Sequence, residues 1–253
     1  MYFVHAWEIK GLVNLNKKFK DKIKDHIYSN NNNYQYISQH IGKLSGAAIG
    51  QFLKNEGSFI KISNLFTITN FLKIPKKIVE KNIFAYKDHN AQKEFIIRFP
   101  CKFNPMILRV VSHIPGDGFI REDGCARWVQ KDKNMMLMLL KKLGFKIKDN
   151  KSNIICIPKF FVKLNCITLG LKPIELKGPK FIERIISLPR LYRIQALLAL
   201  IVDEGNIDEK NYGTINIRLV NKNLLLSYSR LCDSLGYNRT NISERKNTGF
   251  KSD

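Results

Sequence analysis

The spacing of apolar residues predicts several short helices in the first third of the chain. Between residues 37 and 53, apolar positions recur at helical spacing, at Ile37, Ile41, Leu44, Ala48, Ile49 and Leu53. Gly42 interrupts this pattern and can end one helix, and Ser45 is a good N-cap for the next. Two short helices joined by a tight glycine turn form a helix-turn-helix. Two more helices are predicted over "ISNLFTITNFLKIP" and "PKKIVEKNI", with Pro75 marking the start of the last.

A second region starts near Phe99 and contains one pattern twice. Each copy has an apolar helix that ends in acid-glycine, then a hairpin, then an amphipathic helix that ends at Leu-Gly. The copies align Asp117 with Glu204, Arg127 with Arg218, Gln130 with Asn221, Lys131 with Lys222 and Leu143-Gly144 with Leu235-Gly236. Two copies of one unit in a chain imply a pseudo-two-fold arrangement.

The charge of the chain indicates a polyanionic partner. There are 43 Lys and Arg residues against 21 Asp and Glu residues, a net charge of +22. Residues 1–96 carry 15 basic and 7 acidic groups and residues 97–253 carry 28 and 14, so the excess is spread through both regions. Such a field attracts nucleic acid. A lysine-rich composition with solvated surfaces is the alternative explanation.

Other features of the composition bound the class of protein. The five cysteines show no paired spacing, so a zinc site or a disulfide framework is not expected and a reducing compartment fits best. No signal peptide and no apolar stretch of about 18 residues is present. We therefore expect a soluble, cytoplasmic protein without a membrane partner.

The first region resembles the lambda-repressor-like (Cro/XRE) helix-turn-helix family over roughly residues 19–84. Gly42, the pair Leu44-Ser45, Ile49 and the helix that ends "FLKI" carry the resemblance. It implies an all-α DNA-binding domain over residues 1–95, in which Ser45, Gln51 and Lys54 would contact DNA. Glutamine can read adenine and lysine more often contacts phosphate. Since residues 46–48 are Gly-Ala-Ala, an alternative is that this module positions the protein without reading bases.

The second region resembles the LAGLIDADG homing endonucleases. The stretches "VVSHIPGDG" (110–118) and "LLALIVDEG" (197–205) stand in the two motif positions, each followed by a hairpin. The resemblance implies an α+β fold over residues 96–253: a pseudo-two-fold αββαββ domain with a saddle-shaped antiparallel sheet. Repeat one would span about 104–187 and repeat two about 188–253. The second repeat ends soon after "LGY", so it is expected to be truncated.

The motif residues explain the expected chemistry. Two helices that cross closely need small residues, which Ser112 and Ala199 supply, and their ends would bring Asp117 and Glu204 together. Paired carboxylates repel unless a cation relieves them, and hard oxygen ligands suit Mg²⁺, or Mn²⁺ in its place. The expected metal site consists of Asp117, Glu204, Gly116 and Asp203. The glycine after each acid would let the DNA backbone approach.

The resemblance assigns further roles. Arg121, Asp123, Arg127 and Arg218 would face bases in the major groove, and Lys131 and Lys222 would contact phosphates. Gln130 and Asn221 would order active-site water, and Lys159 is the candidate catalytic lysine. The alternatives are that each acid is an ordinary helix-terminal acid, that Gln130 and Asn221 cap helices, and that His113 is a packed core residue.

Together these features predict a monomeric, metal-dependent endonuclease that cuts double-stranded DNA. Because the second repeat is short, a second chain could supply its missing segment, or the activity could be lost. A non-cleaving transcriptional regulator on the same fold, similar to WhiA, is the alternative. Pro115 lies inside the first motif and is expected to bend its helix before Asp117.

Overall fold

The computed structural model describes residues 2–89, 94–145, 153–208, 214–237 and 242. The protein combines helices with antiparallel strands, in agreement with the predicted α+β class. None of the helices within these ranges is long and apolar enough to cross a membrane.

The first region is a mixed helical and stranded unit. Its elements are β1 Phe3–Val4, β2 Leu12–Leu15, α1 Lys17–Ser29, α2 Tyr34–Ile41, α3 Gly46–Lys54, β3 Ile60–Lys61, α4 Ile62–Phe71, α5 Lys76–Lys81, β4 Ile83–Lys87, β5 Phe95–Ile96 and β6 Cys101–Lys102. Four of these strands form an antiparallel sheet in the order β3-β2-β4-β5. The expectation of an all-α bundle over residues 1–95 is therefore wrong.

The sheet escaped prediction because its strands are short and pair over long distances. β2 lies antiparallel to β4, with Leu12 opposite Lys87 and Val13 opposite Tyr86. Val13 and Tyr86 are both fully buried. Strands of four and five residues are too short to show a clear alternation of apolar and polar residues. Their pairing partners lie far away along the chain, so the local sequence does not indicate them.

Two short helices, α2 and α3, lie where the glycine turn was predicted. Gly42 closes α2 in the left-handed region, at φ 62°, and its N–H donates to the Ser38 carbonyl oxygen at 2.9 Å. A residue without a Cβ adopts this backbone conformation at little cost. Ser45 caps α3 by accepting from the Ala48 N–H at 3.2 Å.

The second region repeats one order of elements. They are α6 Pro105–Ser112, β7 Gly118–Ile120, β8 Ala126–Val129, α7 Asn134–Lys142, β9 Ile154–Ile157, α8 Lys159–Leu169, α9 Pro179–Ile186, α10 Arg190–Glu204, β10 Gly205–Asp208, β11 Thr214–Ile217 and α11 Lys222–Leu235. Helix, hairpin and helix occur twice, as α6-β7-β8-α7 and as α10-β10-β11-α11. The predicted repeat of elements is confirmed.

The strands of the two copies form separate sheets. β7, β8 and β9 form one three-stranded antiparallel sheet and β10 and β11 form a two-stranded one. A single saddle-shaped sheet is therefore not found within the described residues. Most of the chain beyond Tyr237 lies outside them, so the expected truncation of repeat two stays a prediction.

The strand register corrects the alignment of the two hairpins. Gly118 pairs with Trp128, and Gly205 pairs with Ile217. Arg218 is consequently the counterpart of Val129, and not of Arg127 as the alignment proposed. The second hairpin is two residues longer than the first, which shifts every position that follows its turn.

The two regions share one continuous core. Tyr86 of β4 packs against Phe160 of α8, with ring centroids 4.9 Å apart. Beside them Lys163 donates to the Lys10 carbonyl oxygen at 2.8 Å and forms an ion pair with Asp88. At the same time β1 pairs with β6. The first strand of the chain therefore packs with the start of the second region rather than with the first sheet.

Candidate active site

The two motif helices α6 and α10 pack directly against each other. Ser112 and Ala199, the small residues predicted at their crossing, are both fully buried. The helices end differently. α6 ends at Ser112, five residues before Asp117, whereas α10 continues through Glu204. Pro115 was expected to bend this helix; instead α6 ends three residues before Pro115, which cannot continue the helical hydrogen-bond pattern.

The two acids lie in one electrostatic site. Burial raises the pKa of the Asp117 carboxyl, and the charge of Asp203 raises it further. Burial also raises the pKa of the Glu204 carboxyl, with additional contributions from the charges of Asp117 and Asp203. Three carboxylates at the end of the helix pair therefore create a concentrated negative field, although the chain as a whole is strongly basic.

The glycines that follow the acids occupy equivalent positions. A Cβ atom built on Gly118 would lie 2.4 Å from the Ile114 Cα atom, and one on Gly205 would lie 2.4 Å from the Ile201 carbonyl oxygen. Each contact is with backbone four residues earlier. The glycines are therefore required so that each strand can leave directly against its own helix end. This explains them without the approach of a DNA backbone.

A buried hydrogen-bond network connects the two helix ends. The Asp203 Oδ1 atom accepts from Trp128 Nε1 at 3.0 Å and is 2.8 Å from His113 Nδ1. The side chains of His113 and Asp203 have no exposed surface. His113 is thus a core residue, as its position on an apolar helix face suggested, but its ring contacts the buried carboxylate of Asp203. The sequence gave no signal for its partners, which are far away along the chain.

This network removes Asp203 from the expected metal site. Its side chain is enclosed, with Oδ1 shared between two partners and Oδ2 covered by Gly116. Gly116 lacks a side chain because a Cβ there would lie 2.8 Å from Asp203 Oδ2. Of the predicted side-chain ligands, Asp117 and Glu204 remain, and both are half-buried; the expected role of Gly116, which has only backbone atoms to offer, stays a prediction.

Gln130 and Asn221 have different environments, although the alignment paired them. Gln130 donates from Nε2 to the Asp117 Oδ2 atom, so it is brought to the candidate site as predicted. Asn221 caps α11, where its Oδ1 accepts from the Leu224 N–H at 3.1 Å. The capping alternative describes Asn221. The longer second hairpin places Leu219, and not Asn221, at the position equivalent to Gln130.

Lys159 is not brought to the acids. Its Nζ atom lies 2.9 Å from Asp123 Oδ2, at the turn of the first hairpin, and this contact lowers the pKa of Asp123. Ala126 pairs with Ile157 near this turn, whereas the acid lies at the opposite end of β7, beside Trp128. Three residues of extended chain, about 10 Å, separate the two ends of β8. The assignment of Lys159 as a catalytic lysine is therefore not supported.

The other residues predicted to contact DNA are exposed. They are Arg121, Asp123, Arg127, Lys131, Arg218 and Lys222 of the repeats. Arg127 stands on the open face of its sheet, where it pairs with Phe119 and Cys156. Phe119 and Val129 on that face are 52% and 46% exposed, so the surface mixes one cation with apolar side chains rather than presenting a row of polar groups.

On α3 and its N-cap, Ser45, Gln51 and Lys54 are also exposed. The Ser45 hydroxyl is already occupied as the cap of α3. Sequence reasoning did not identify Lys20, which supports the C-terminal end of α3. Lys20 of α1 is 1% exposed and donates to the Asn55 carbonyl oxygen at 2.8 Å, directly after α3. Burial lowers the pKa of Lys20 to about 8.

Comparison with known proteins gives no assignment for this site. No protein-family model matches the chain, and no curated protein matches it. Among the described residues, no group of three or more His, Cys, Asp or Glu side chains has a metal-holding arrangement. What the geometry offers is two half-buried carboxylates whose negative charge favours a cation, with one amide that contacts the first of them.

Proposed function

We propose that this protein is an endonuclease that hydrolyses phosphodiester bonds of double-stranded DNA at specific sites with a divalent metal. The observation that carries the proposal is the convergence of Asp117, five residues after α6, and Glu204, the last residue of α10, where burial and neighbouring charge raise both pKa values. Buried like charges destabilise a protein, so their pairing in a matched pair of motifs favours a functional site.

The residues present fit Mg²⁺ or Mn²⁺. Both are hard cations that bind carboxylate oxygens, and Mg²⁺ commonly uses one or two carboxylates while water and substrate phosphate complete its shell. A bound cation would stabilise the ionised forms of Asp117 and Glu204 against their mutual repulsion. When bound, such a metal activates a water molecule and stabilises the leaving oxygen in phosphodiester hydrolysis. Gln130 would hold the Asp117 carboxylate in one orientation through its amide.

The charge of the chain supports DNA as the substrate. A net charge of +22 favours binding to the phosphate backbone. The exposed cations of both hairpins lie on the returning side, with Arg127 on β8 and Arg218 directly after β11. Gln51 and Lys54 of the helix-turn-helix provide a second exposed surface for DNA. We propose that the protein acts as a monomer in the cytoplasm.

A cleavage screen tests this proposal. The full chain is incubated with a plasmid library made from its own genome, in Mg²⁺, in Mn²⁺ and in EDTA. We expect discrete cuts that require metal. Cutting that continues in EDTA would contradict the proposal, and so would complete absence of cutting across both metals.

A non-cleaving transcriptional regulator is the second candidate. The observation that favours it is the capped helix-turn-helix, which can bind DNA without any chemistry at the acid pair. For a regulator, we expect specific, salt-sensitive binding that persists in EDTA and is unchanged when Asp117 is replaced by Asn. Binding of this kind without cleavage would favour the regulator over the endonuclease.

A further inference from the structure

We propose that Asp203 is a positioning residue that holds Asp117 in place, although it does not itself bind metal. This inference rests on the proposed function, because it concerns how the acid pair is assembled. It starts from an asymmetry between the two repeats. Glu204 is the last residue of the continuous helix α10, whereas Asp117 follows a helix that ended five residues earlier.

The segment 113–117 therefore needs another source of order. Asp203 supplies contacts at both of its ends. Its Oδ1 atom accepts from His113 Nδ1 at 2.8 Å, at the residue where α6 ends. Its carboxylate also lies against Gly116, so closely that a Cβ there would be 2.8 Å from both Cβ and Oδ2 of Asp203. Gly116, which directly precedes Asp117, thus packs against the side chain of Asp203, which directly precedes Glu204.

Trp128 ties the same carboxylate to the sheet. Its indole Nε1 donates to Asp203 Oδ1 at 3.0 Å, and it pairs on the strand with Gly118. The neighbouring Val129 N–H donates to the Asp117 carbonyl oxygen at 3.2 Å. The backbone of Asp117 is consequently fixed between β8 and a carboxylate that β8 itself helps to hold.

Within the described part of the second repeat, residues 190–208 and 214–237, no corresponding network is present. By the strand register and the spacing of the acids, the counterparts of His113, Trp128 and Asp203 are Leu200, Ile217 and Gly116. These side chains cannot form the same hydrogen bonds. Glu204 does not need this support, because it is the last residue of the continuous helix α10. The network therefore orders Asp117 and not Glu204, and it encloses the Asp203 carboxylate next to the site.

The choice of variants separates positioning from charge. Asp203→Asn keeps an Oδ1 atom that can accept from both His113 and Trp128, but it removes the negative charge. Asp203→Ala removes the acceptor and the charge together. Trp128→Phe keeps the ring packing and removes one donor. Leu164→Ala on α8 is the matched control, because Leu164 is a fully buried, apolar member of the core in the same repeat and has no polar group to offer the network.

The measurement is the affinity of the full chain for Mn²⁺, followed by electron paramagnetic resonance without DNA, beside thermal unfolding of each variant. We expect Asp203→Ala to weaken Mn²⁺ binding about 10- to 100-fold, as loss of a supporting partner does at metal sites. Asp203→Asn should stay within about three-fold of the wild type. Trp128→Phe should fall between them, and Leu164→Ala should lower the unfolding temperature without weakening Mn²⁺ binding.

Three results would overturn the inference. Unchanged Mn²⁺ affinity in Asp203→Ala would show that Asp117 needs no support from this residue. Equal weakening in Asp203→Asn and Asp203→Ala would show that the charge acts, and not the hydrogen bonds. Equal weakening in Leu164→Ala would reduce the effect to general stability. If the wild type binds no Mn²⁺, the proposed function fails first, and the inference fails with it. If Asp203→Ala does not fold, Trp128→Phe decides, and wild-type affinity in that variant would contradict the inference.

Discussion

Replacement of Gly118 or Gly205 by alanine should damage the two motifs to a similar extent. An added Cβ would stand 2.4 Å from backbone atoms of Ile114 or Ile201. Ordinary contacts begin near 3.4 Å, so each junction must open by about 1.0 Å. The opposing atoms belong to the backbone and cannot rotate away as the end of a flexible side chain could.

The magnitude follows from this overlap. Overpacking of a well-packed site costs about 1–3 kcal/mol, and we expect the upper half of that range, about 2–3 kcal/mol, because backbone opposes both additions. For a chain of this size, such a loss lowers the unfolding temperature by roughly 4–12 °C. A displacement of about 1 Å at the acids should also reduce cleavage about 100-fold.

The assay is urea unfolding of the full chain, with DNA binding and cleavage measured on the same preparations. Gly57→Ala is the control, because no atom lies within 4 Å of its added Cβ, and it should stay within about 0.5 kcal/mol of the wild type. If either motif variant unfolds at the same urea concentration as the control, the close junction is refuted. If one variant is severely affected and the other is neutral, the equivalence of the two glycine positions is refuted.

The charged residues of the protein give further predictions. Asp117→Asn and Glu204→Gln should each raise the free energy of unfolding at pH 7 by up to about 1 kcal/mol, because half-buried like charges destabilise the native state. A raised native pKa means that this penalty appears as pH rises through it, so the gain should vanish near pH 4; a gain of equal size at both pH values would contradict the explanation. For Lys20, a native pKa of about 8 against 10.5 means that the unfolded state binds more protons between those values. The stability of the wild type relative to Lys20→Met should therefore increase between pH 8 and pH 10, and urea unfolding that shows a constant difference would refute the burial of this amine. DNA affinity should fall steeply with added salt, by at least 1000-fold between about 50 mM and 200 mM if 6–10 phosphates are contacted; an affinity that barely changes in filter-binding titrations would exclude the backbone contacts.

Local features of the fold could be predicted from the sequence. Gly42 and Ser45 specify the ends of α2 and α3 through contacts within four residues, and both were identified correctly. Pro115, which lacks an N–H, likewise lies three residues after the end of α6. Such signals are short-range, because the residue that causes the structure lies inside the segment that shows it.

The pattern of the repeat was also visible, but its register was not. The acid-glycine step and the Leu-Gly helix end recur in both copies, so the order of the elements followed from the sequence. The alignment matched Arg218 with Arg127, but by the strand register Arg218 is the counterpart of Val129 in the first repeat. Hairpin length decides this register, and identical side chains at similar spacing gave a misleading match.

Long-range contacts account for what was missed. The partners of Asp203 lie 75 and 90 residues away along the chain. The β2–β4 pairing joins residues on either side of all the helices of the first region. Neither could be inferred from periodicity, because each depends on where the complete chain places its parts. Lys159 was misplaced for the same reason, since the pairing of β8 with β9 carries it to the far end of the sheet.

The most direct test of the central claim compares binding and cleavage in three proteins. The wild type, Asp117→Asn and Glu204→Gln are titrated with target DNA in EDTA and then incubated with Mg²⁺, and exposed Glu94→Gln serves as the matched charge control. The account predicts equal DNA affinity in all four proteins, with cleavage in the wild type and Glu94→Gln alone. Undiminished cleavage in Asp117→Asn and Glu204→Gln would contradict the claim that these two carboxylates form the catalytic site.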